Sequence, residues 1–437
     1  MRRVGPLDRV GDRAEEEAEL REVIDLARAV GDVRLEGQAS SVLGFALYRG
    51  SRHEEARELL PAAIECARVA GDFETEATGS GNLGNVLEVI EGSEAAIPYH
   101  ERQLELSRQH GFGKWEGNAL GNLSIAYDIL GQVDRALDLA RERLDVHEKC
   151  GYGLGVAHGY GQLGSIHAQL GHHEEARRYL EHGLAANKEL GCRRSASYDV
   201  ANLGSLAETT GMFEEAWRRF GDAAAMAHGM GDRNLGLAMD IGLAELHARL
   251  GDLEGANTMA RGAMAMAKAS QSPRGRAATA QICGWIHRLR DEPAEARAAY
   301  ALAVEEGWPS QVARGNLGLG LLLMDAGQED EAGPCLDLAL KLGRETQEHS
   351  TALLALLAKG DVTEAIALLD EMGARLPYAT VMEARFLLWK ATGERAHLDE
   401  AHERLLFLRD HAPEAYRETI LTVLPLHREI VAAWEAS

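Results

Sequence analysis

The chain has 437 residues, 46% of them hydrophobic, 5% aromatic and 26% charged, with a net charge of −23. That apolar content supports a packed core, while no apolar run approaches the ~20 residues needed to cross a bilayer. So negative a surface repels nucleic-acid phosphates and anionic lipid, and suits a protein or peptide partner that is neutral or basic.

The chain opens with MRRVGPLDRVGDRAEEE, where basic residues have no apolar segment behind them. This pattern excludes a secretory signal and predicts a cytoplasmic protein. Residues 1–30 are expected to hold an incomplete repeat. Gly11 falls in the register of the mid-repeat glycines, and AEEEAELREVIDLARAVG then reads as a second helix. Its first helix would need the ten residues upstream, which include Gly5 and Pro6. Either this is half a repeat or the chain was cut from a longer protein. An uncapped half-repeat favours end-to-end self-association.

Seven units of about forty residues are expected over 31–306. Ala56, Ala96, Ala136, Ala176, Ala216, Ala256 and Ala296 form one column at that spacing. Leu43, Leu83, Leu123, Leu163, Leu203 and Leu243 form a second, with Cys283 in the seventh place. Gly31, Gly71, Gly111, Gly151, Gly191 and Gly231 form a third, which Gln271 breaks. Each unit reads as two helices, with apolar residues at helical spacing on both sides of a glycine such as Gly131. Gly171, Gly211 and Gly251 repeat that stop, and Asp291 with Pro293 replaces it in the next unit. Over 307–410 the units shorten and diverge, with Gly327, Ala332, Gly360, Ala365, Gly393 and Ala401 as their markers. The last segment, 411–437, is expected to be a capping helix that kinks or splits at Pro425.

Leu123, Tyr127, Gly131 and Ala136 in one unit, and Leu163, Gly164, Gly171 and Ala176 in another, carry a spacing that resembles the tetratricopeptide repeat. The likeness covers about residues 11–410. It implies an all-α fold, a right-handed α-solenoid of antiparallel helix pairs. The forty-residue spacing and the motif GNLGN are similar to the longer repeats of Leu-Gly-Asn (Pins-type) scaffolds and kinesin light chains. Ser124 and Ala244 depart from the pattern by replacing its second-position glycine. Gly84, Gly164 and Gly204, which keep it, are expected to let helix backbones approach closely.

Asn82, Asn122 and Asn202 share a column, with Gln162 in the same place, and each precedes a core leucine. They should therefore turn away from that core. A single helical asparagine is more simply a solvated group, but a column of three plus Gln162 favours a binding face. In the scaffolds that this chain resembles, that face lines the concave groove, where asparagine amides bind the backbone of an extended peptide. An amide offers donors and an acceptor together, so it matches a peptide group without reading its side chain. Asn85 lies one turn further on, and Asp128 and Ser165 fit the groove on helical geometry.

Motifs of catalysis or cofactor binding fare worse. GYGQLG, residues 159–164, matches a dinucleotide fingerprint but lies inside a predicted helix, without the strand that the fingerprint requires. His172 and His173 in GHHEEA, and His397 and His402 in HLDEAH, lack metal-ligand spacing. Cys150 near His147 sits at a repeat boundary. The five cysteines, Cys66, Cys150, Cys192, Cys283 and Cys335, form no C-x-x-C pair and read as reduced, mostly buried thiols. No enzyme, cofactor or metal is expected. The leading reading is a protein–protein interaction scaffold that binds a partner segment in its groove. The alternatives are a regulatory module of a larger bacterial signalling protein, of kinase or cyclase type, and a peptide-pheromone receptor.

Overall fold

The structure, a computed structural model, describes residues 10–269 and 273–436. Gln271, which interrupts the glycine column, and residues 1–9 of the expected half-repeat lie outside the described residues. Among the described residues the fold is all α, and successive helices pack in antiparallel pairs. The chain divides into two compact units, the first up to Ile166 and the second from His167.

Unit 1 holds α1 (Val10–Val30), α2 (Val33–Arg49), α3 (His53–Ala70), α4 (Phe73–Ile90), α5 (Ser93–His110), α6 (Gly113–Ile129), α7 (Val133–Lys149) and the larger part of α8 (Gly153–Gln169). The helices α2, α4, α6 and α8 start forty residues apart, and so do α3, α5 and α7. Each even-numbered helix is the first of its pair. The first helices also pack on one another, α2 on α4 and α4 on α6. The alanine column is fully buried on the second helices, at Ala56, Ala96 and Ala136. Small side chains there let α3, α5 and α7 sit close to their partners, and Leu43, Leu47, Leu60, Leu83, Val86 and Leu87 fill the space between them.

Unit 2 continues with α9 (His173–Glu189), α10 (Arg193–Thr209), α11 (Phe213–Met230), α12 (Arg233–Arg249), α13 (Leu253–Ala269), α14 (Pro273–Leu289) and α15 (Pro293–Glu306) at the same spacing. Shorter pairs follow: α16 (Pro309–Asp325) with α17 (Glu329–Glu345), α18 (His349–Lys359) with α19 (Val362–Met372), and α20 (Tyr378–Thr392) with α21 (Arg395–Asp410). The segment after Pro413 is not one helix. It divides into a 3-10 turn (Glu414–Tyr416), α22 (Thr419–Thr422) and α23 (Pro425–Glu435), with Pro425 at the first turn of α23. Proline suits that place because its missing N–H would have no helical acceptor.

The turns follow a simple rule. Most of the helices in the regular pairs are followed, within two residues, by a residue of positive φ, as at Gly71, with φ of 64°; α15, α19 and α21 are not. Three turns put another residue there, Ser51, Asp291 and Gln347, with φ between 57 and 61°. Gly11, in contrast, lies within α1 rather than ahead of it. The expected close backbone approach at Gly84 and Gly204 is different in kind. A Cβ on Gly84 would lie 2.5 Å from the His100 ring, and one on Gly204 would lie 2.7 Å from the Phe220 ring. These glycines make room for a large side chain of the second helix, not for its backbone.

None of the five cysteines is fully buried, and Cys150 is exposed. The reading of mostly buried thiols is thus corrected: at helix ends and outer faces these small residues stay partly open.

Candidate functional site

The first helices of unit 1 turn one face toward a shared cleft of about 460 Å³. From α4 come Thr78, Asn82 and Asn85; from α6 come Trp115, Asn118 and Asn122. Each set is spaced by three or four residues, which places its members on one helix face. The adjacent residues Leu83 and Leu123 are buried on the opposite side. This alternation of amide and leucine turns the polar column outward from the core.

Asn122 Nδ2 donates to Asn85 Oδ1 at 3.0 Å, so two of the expected amides meet across the cleft. Asn82 Nδ2 reaches the Ser41 carbonyl at 3.4 Å. Val42 and Phe45 of α2, both exposed, supply an apolar flank.

The other expected residues stand elsewhere. Gln162 donates to the Gly121 carbonyl at 3.1 Å and accepts from Arg143 at 2.6 Å, so it holds a neighbour rather than facing the opening. Ser165 Oγ donates back to the Gly161 carbonyl at 3.1 Å. Asp128 is half-buried on α6 and does not line the cleft. Asn202 belongs to unit 2, half-buried on α10.

Two cleft residues come from the second helices, Gln103 on α5 and Arg143 on α7. Both pass over a glycine of the first helix. A Cβ on Gly81 would fall 2.3 Å from Gln103, and one on Gly121 would fall 2.8 Å from Arg143. Position for position, these pairs are forty residues apart. Their column otherwise reads Ala63, Gly183, Ala223, Ala263 and Ala303. A long polar side chain in a column of small residues, opposite a glycine, is a signal that the sequence carried and that the asparagine column overshadowed. Asn118, one turn before Asn122, went unnoticed for the same reason.

Arg143 is 9% exposed. Burial pushes its guanidinium down to about 10, so it stays protonated at neutral pH. Nearby, burial and the Arg143 charge push His158 down, toward the neutral imidazole.

The rejected motifs also find their places. GYGQLG lies inside α8. The Cys150 thiol donates to the His147 backbone carbonyl at 3.6 Å, so the geometry gives no thiolate–imidazole pair.

Unit 2 encloses cavities of about 320 and 420 Å³ that share Arg249, Arg288 and Glu383 in their walls. Arg249 pairs with Glu245 at 2.7 Å and lies 3.6 Å from Glu208, while Arg288 pairs with Asp325 at 2.6 Å. Burial pushes the Glu208 and Glu383 carboxyls up. Here acids and bases largely answer one another.

The tetratricopeptide repeat family model matches residues 157–189, from within α8 to the end of α9. Residues 157–189 are thus recognised as a tetratricopeptide repeat, and the other helix pairs of the described residues follow its arrangement. Solved structures of similar fold include the Rap conjugation gene regulator of the plasmid pLS20 in complex with the Phr* peptide. It is 14% identical, with a TM-score of 0.53 over 78% of this chain and 97% of that one. A Rap protein complexed with Competence and Sporulation Factor is 13% identical, with a TM-score of 0.50 over 84% and 99%. Aspartyl phosphate phosphatase F from Bacillus subtilis is 12% identical, with a TM-score of 0.53 over 79% and 96%. At such identities the likeness shows the fold. No curated protein matches the chain. Among the described residues, no helix is long and apolar enough to cross a membrane.

Proposed function

We propose that this tetratricopeptide-repeat protein is an interaction scaffold whose unit 1 cleft binds an extended segment of a partner protein or a free peptide. The observation that carries this reading is the amide-lined cleft: Asn82, Asn85, Asn118 and Asn122 on two adjacent helices. Amides at this spacing pair with the N–H and C=O groups of an extended backbone, while Phe45 and Trp115 give apolar contact to its side chains. The fold likeness to two Rap proteins, one solved with the Phr* peptide and one with Competence and Sporulation Factor, supports a peptide signal in a bacterial cytoplasm as the finer form of the same reading.

The test is a pull-down from source-cell lysate, read by mass spectrometry. Wild type is compared with a triple variant, Asn82→Ala, Asn85→Ala, Asn122→Ala, that retains full helical circular dichroism. A partner held by wild type and lost by the variant supports the cleft. A partner held equally by both moves binding to another face.

A further inference from the structure

We propose that the cavity of about 320 Å³ inside unit 2 binds a small organic ammonium ion, a free amine or an amino acid, held by Glu383 and Glu208. The residues of this site all belong to unit 2, so the inference stands apart from the reading of the unit 1 cleft.

The walls of this cavity and of its 420 Å³ neighbour hold more anions than cations. Each cation has an anion of its own: Arg249 pairs with Glu245 at 2.7 Å, Arg288 with Asp325 at 2.6 Å, Arg314 with Glu348 at 2.8 Å and Lys390 with Glu429 at 2.9 Å. His427 adds no charge at neutral pH, since burial pushes its imidazole down to about 4. Glu208 and Glu383 are left over. Glu208 has only a share in Arg249, at 3.6 Å. Glu383 feels the charges of Arg249 and Arg288 but hydrogen-bonds to neither. A buried carboxylate without a partner is costly, and burial raises both groups toward the neutral acid. A cation that enters can replace that proton.

A second observation points to the same place. Tyr300 and Thr351 are each 3% exposed and Thr380 is 7% exposed, and all three line this cavity. Among the described residues none of their hydroxyls makes a hydrogen bond. Other threonines of unit 2 turn back onto their own helix, as Thr279 does to the Gly275 carbonyl at 2.7 Å and Thr392 to the Leu388 carbonyl at 2.8 Å. Buried hydroxyls are ordinarily bonded, so those around this cavity are donors and acceptors for a ligand. Tyr300 reaches in from α15 over Gly284 and Gly318, where an added Cβ would lie 2.6 and 2.2 Å from its ring.

The lining selects the class of ligand. Among the described residues no three acid, imidazole or thiol side chains come together as a metal ion requires, which favours an organic cation. Ile282, Leu317 and Leu354 line the same space beside Trp285, so the ligand carries an apolar body behind its ammonium group. An aromatic face also attracts a cation. A volume of about 320 Å³ lies at the small end of the range for ligand pockets and holds a single small molecule rather than a stretch of chain.

The test is calorimetric titration of the full chain, with thermal melting followed in parallel. The probes are 2-phenylethylamine, n-butylamine, phenylalanine and leucine. Their uncharged counterparts at the same position are 2-phenylethanol, n-butanol, N-acetylphenylalanine and N-acetylleucine. Magnesium chloride and calcium chloride are titrated alone. At least one ammonium probe is expected to bind roughly tenfold or more tightly than its counterpart and to raise the melting midpoint. Preference for the simple amines identifies an amine ligand; preference for phenylalanine or leucine identifies an amino acid. Glu383→Gln and Glu208→Gln are each expected to abolish most of that preference. Both should leave the unliganded midpoint unchanged or higher, because each removes an unmatched charge. A lower midpoint with the ammonium preference intact in both variants gives these carboxylates a structural role and overturns the inference. So does wild type that shows no ammonium preference, or that is stabilised by the metal salts alone. The wild-type comparison decides the matter if either variant fails to fold.

Discussion

His100 shows how one residue sets the tolerance of its neighbours. It is 1% exposed, packed against Gly84, and burial pushes its imidazole down to about 4. Adding a methyl at Gly84→Ala drives a Cβ into that ring and should cost about 1–3 kcal/mol by overpacking. The double variant Gly84→Ala, His100→Ala should recover part of the loss, as denaturant melts would show. His100 also makes stability depend on pH. The unfolded chain takes up a proton near pH 6.5 that the folded chain refuses until about 4. Stability is therefore fully present above pH 6.5 and falls between 6.5 and 4, by about 3 kcal/mol for this one group. His100→Leu copies Leu60, which fills the same place against Gly44, and should flatten that part of the pH profile. An unchanged slope would argue that His100 takes up its proton at the same pH in the folded and the unfolded chain. At this scale the sequence was half legible. The amides Asn82, Asn85 and Asn122 could be placed from helical spacing alone. Gln103 and Arg143 could not be placed by the same route. They reach the cleft from the far helix, and their path depends on the absent side chains of Gly81 and Gly121.

The helix pair is the element that the sequence reveals best, because its stop signal is local. A glycine in the left-handed conformation ends a helix wherever it stands, so the forty-residue register passed directly into helix boundaries. Where another residue takes that conformation it does so at a cost of about 1–2 kcal/mol, from the clash of Cβ with the backbone. Ser51→Gly and Gln347→Gly should therefore raise the melting midpoint, each by up to about 1 kcal/mol after the added chain entropy of glycine. Asp291→Gly should gain less, since Asp tolerates this conformation better. A fall in midpoint for Gln347→Gly would show that its side chain contributes more than its backbone strain costs. Starts are less uniform than stops. Asp72 caps α4 by accepting from the Thr75 N–H and also holds Gln38, whereas α7 and α9 begin without a side-chain cap. The final segment was less legible still. It was expected as a capping helix that kinks or splits at Pro425; α23 does begin there, but the short turn Glu414–Tyr416 and the four-residue α22 ahead of it were not expected.

Repeats predict contacts between neighbours, and at the scale of a whole unit that is where prediction from the sequence ends. Unit 2 is tied together by contacts that no period announces. The Glu214 N–H donates to the His411 carbonyl at 2.7 Å, and Thr419 Oγ1 donates to the Leu250 carbonyl at 2.9 Å. Ile420, Ile430, Leu405 and Leu408 share one core with Leu203, Leu246 and Leu250. Such closure follows from the small rotation each pair adds to the last, and that sum cannot be read from the apolar pattern of any single pair. An open solenoid responds to damage locally, because each repeat touches only its neighbours. A closed unit should respond as one body. Ile420 is fully buried, so Ile420→Ala should cost about 2–5 kcal/mol. Its effect on hydrogen exchange should reach α10 and α12, more than a hundred residues upstream, as strongly as α22 and α23. Loss of protection confined to residues after 410 would mean that the terminal helices fray on their own. In that case the cavity of about 420 Å³, whose wall includes Leu424, Leu426 and His427, would open at that end on its own. Equal loss on both sides would mean that this wall moves only with the rest of the unit, held to Leu250 and Asp252 by Thr419 and Tyr416.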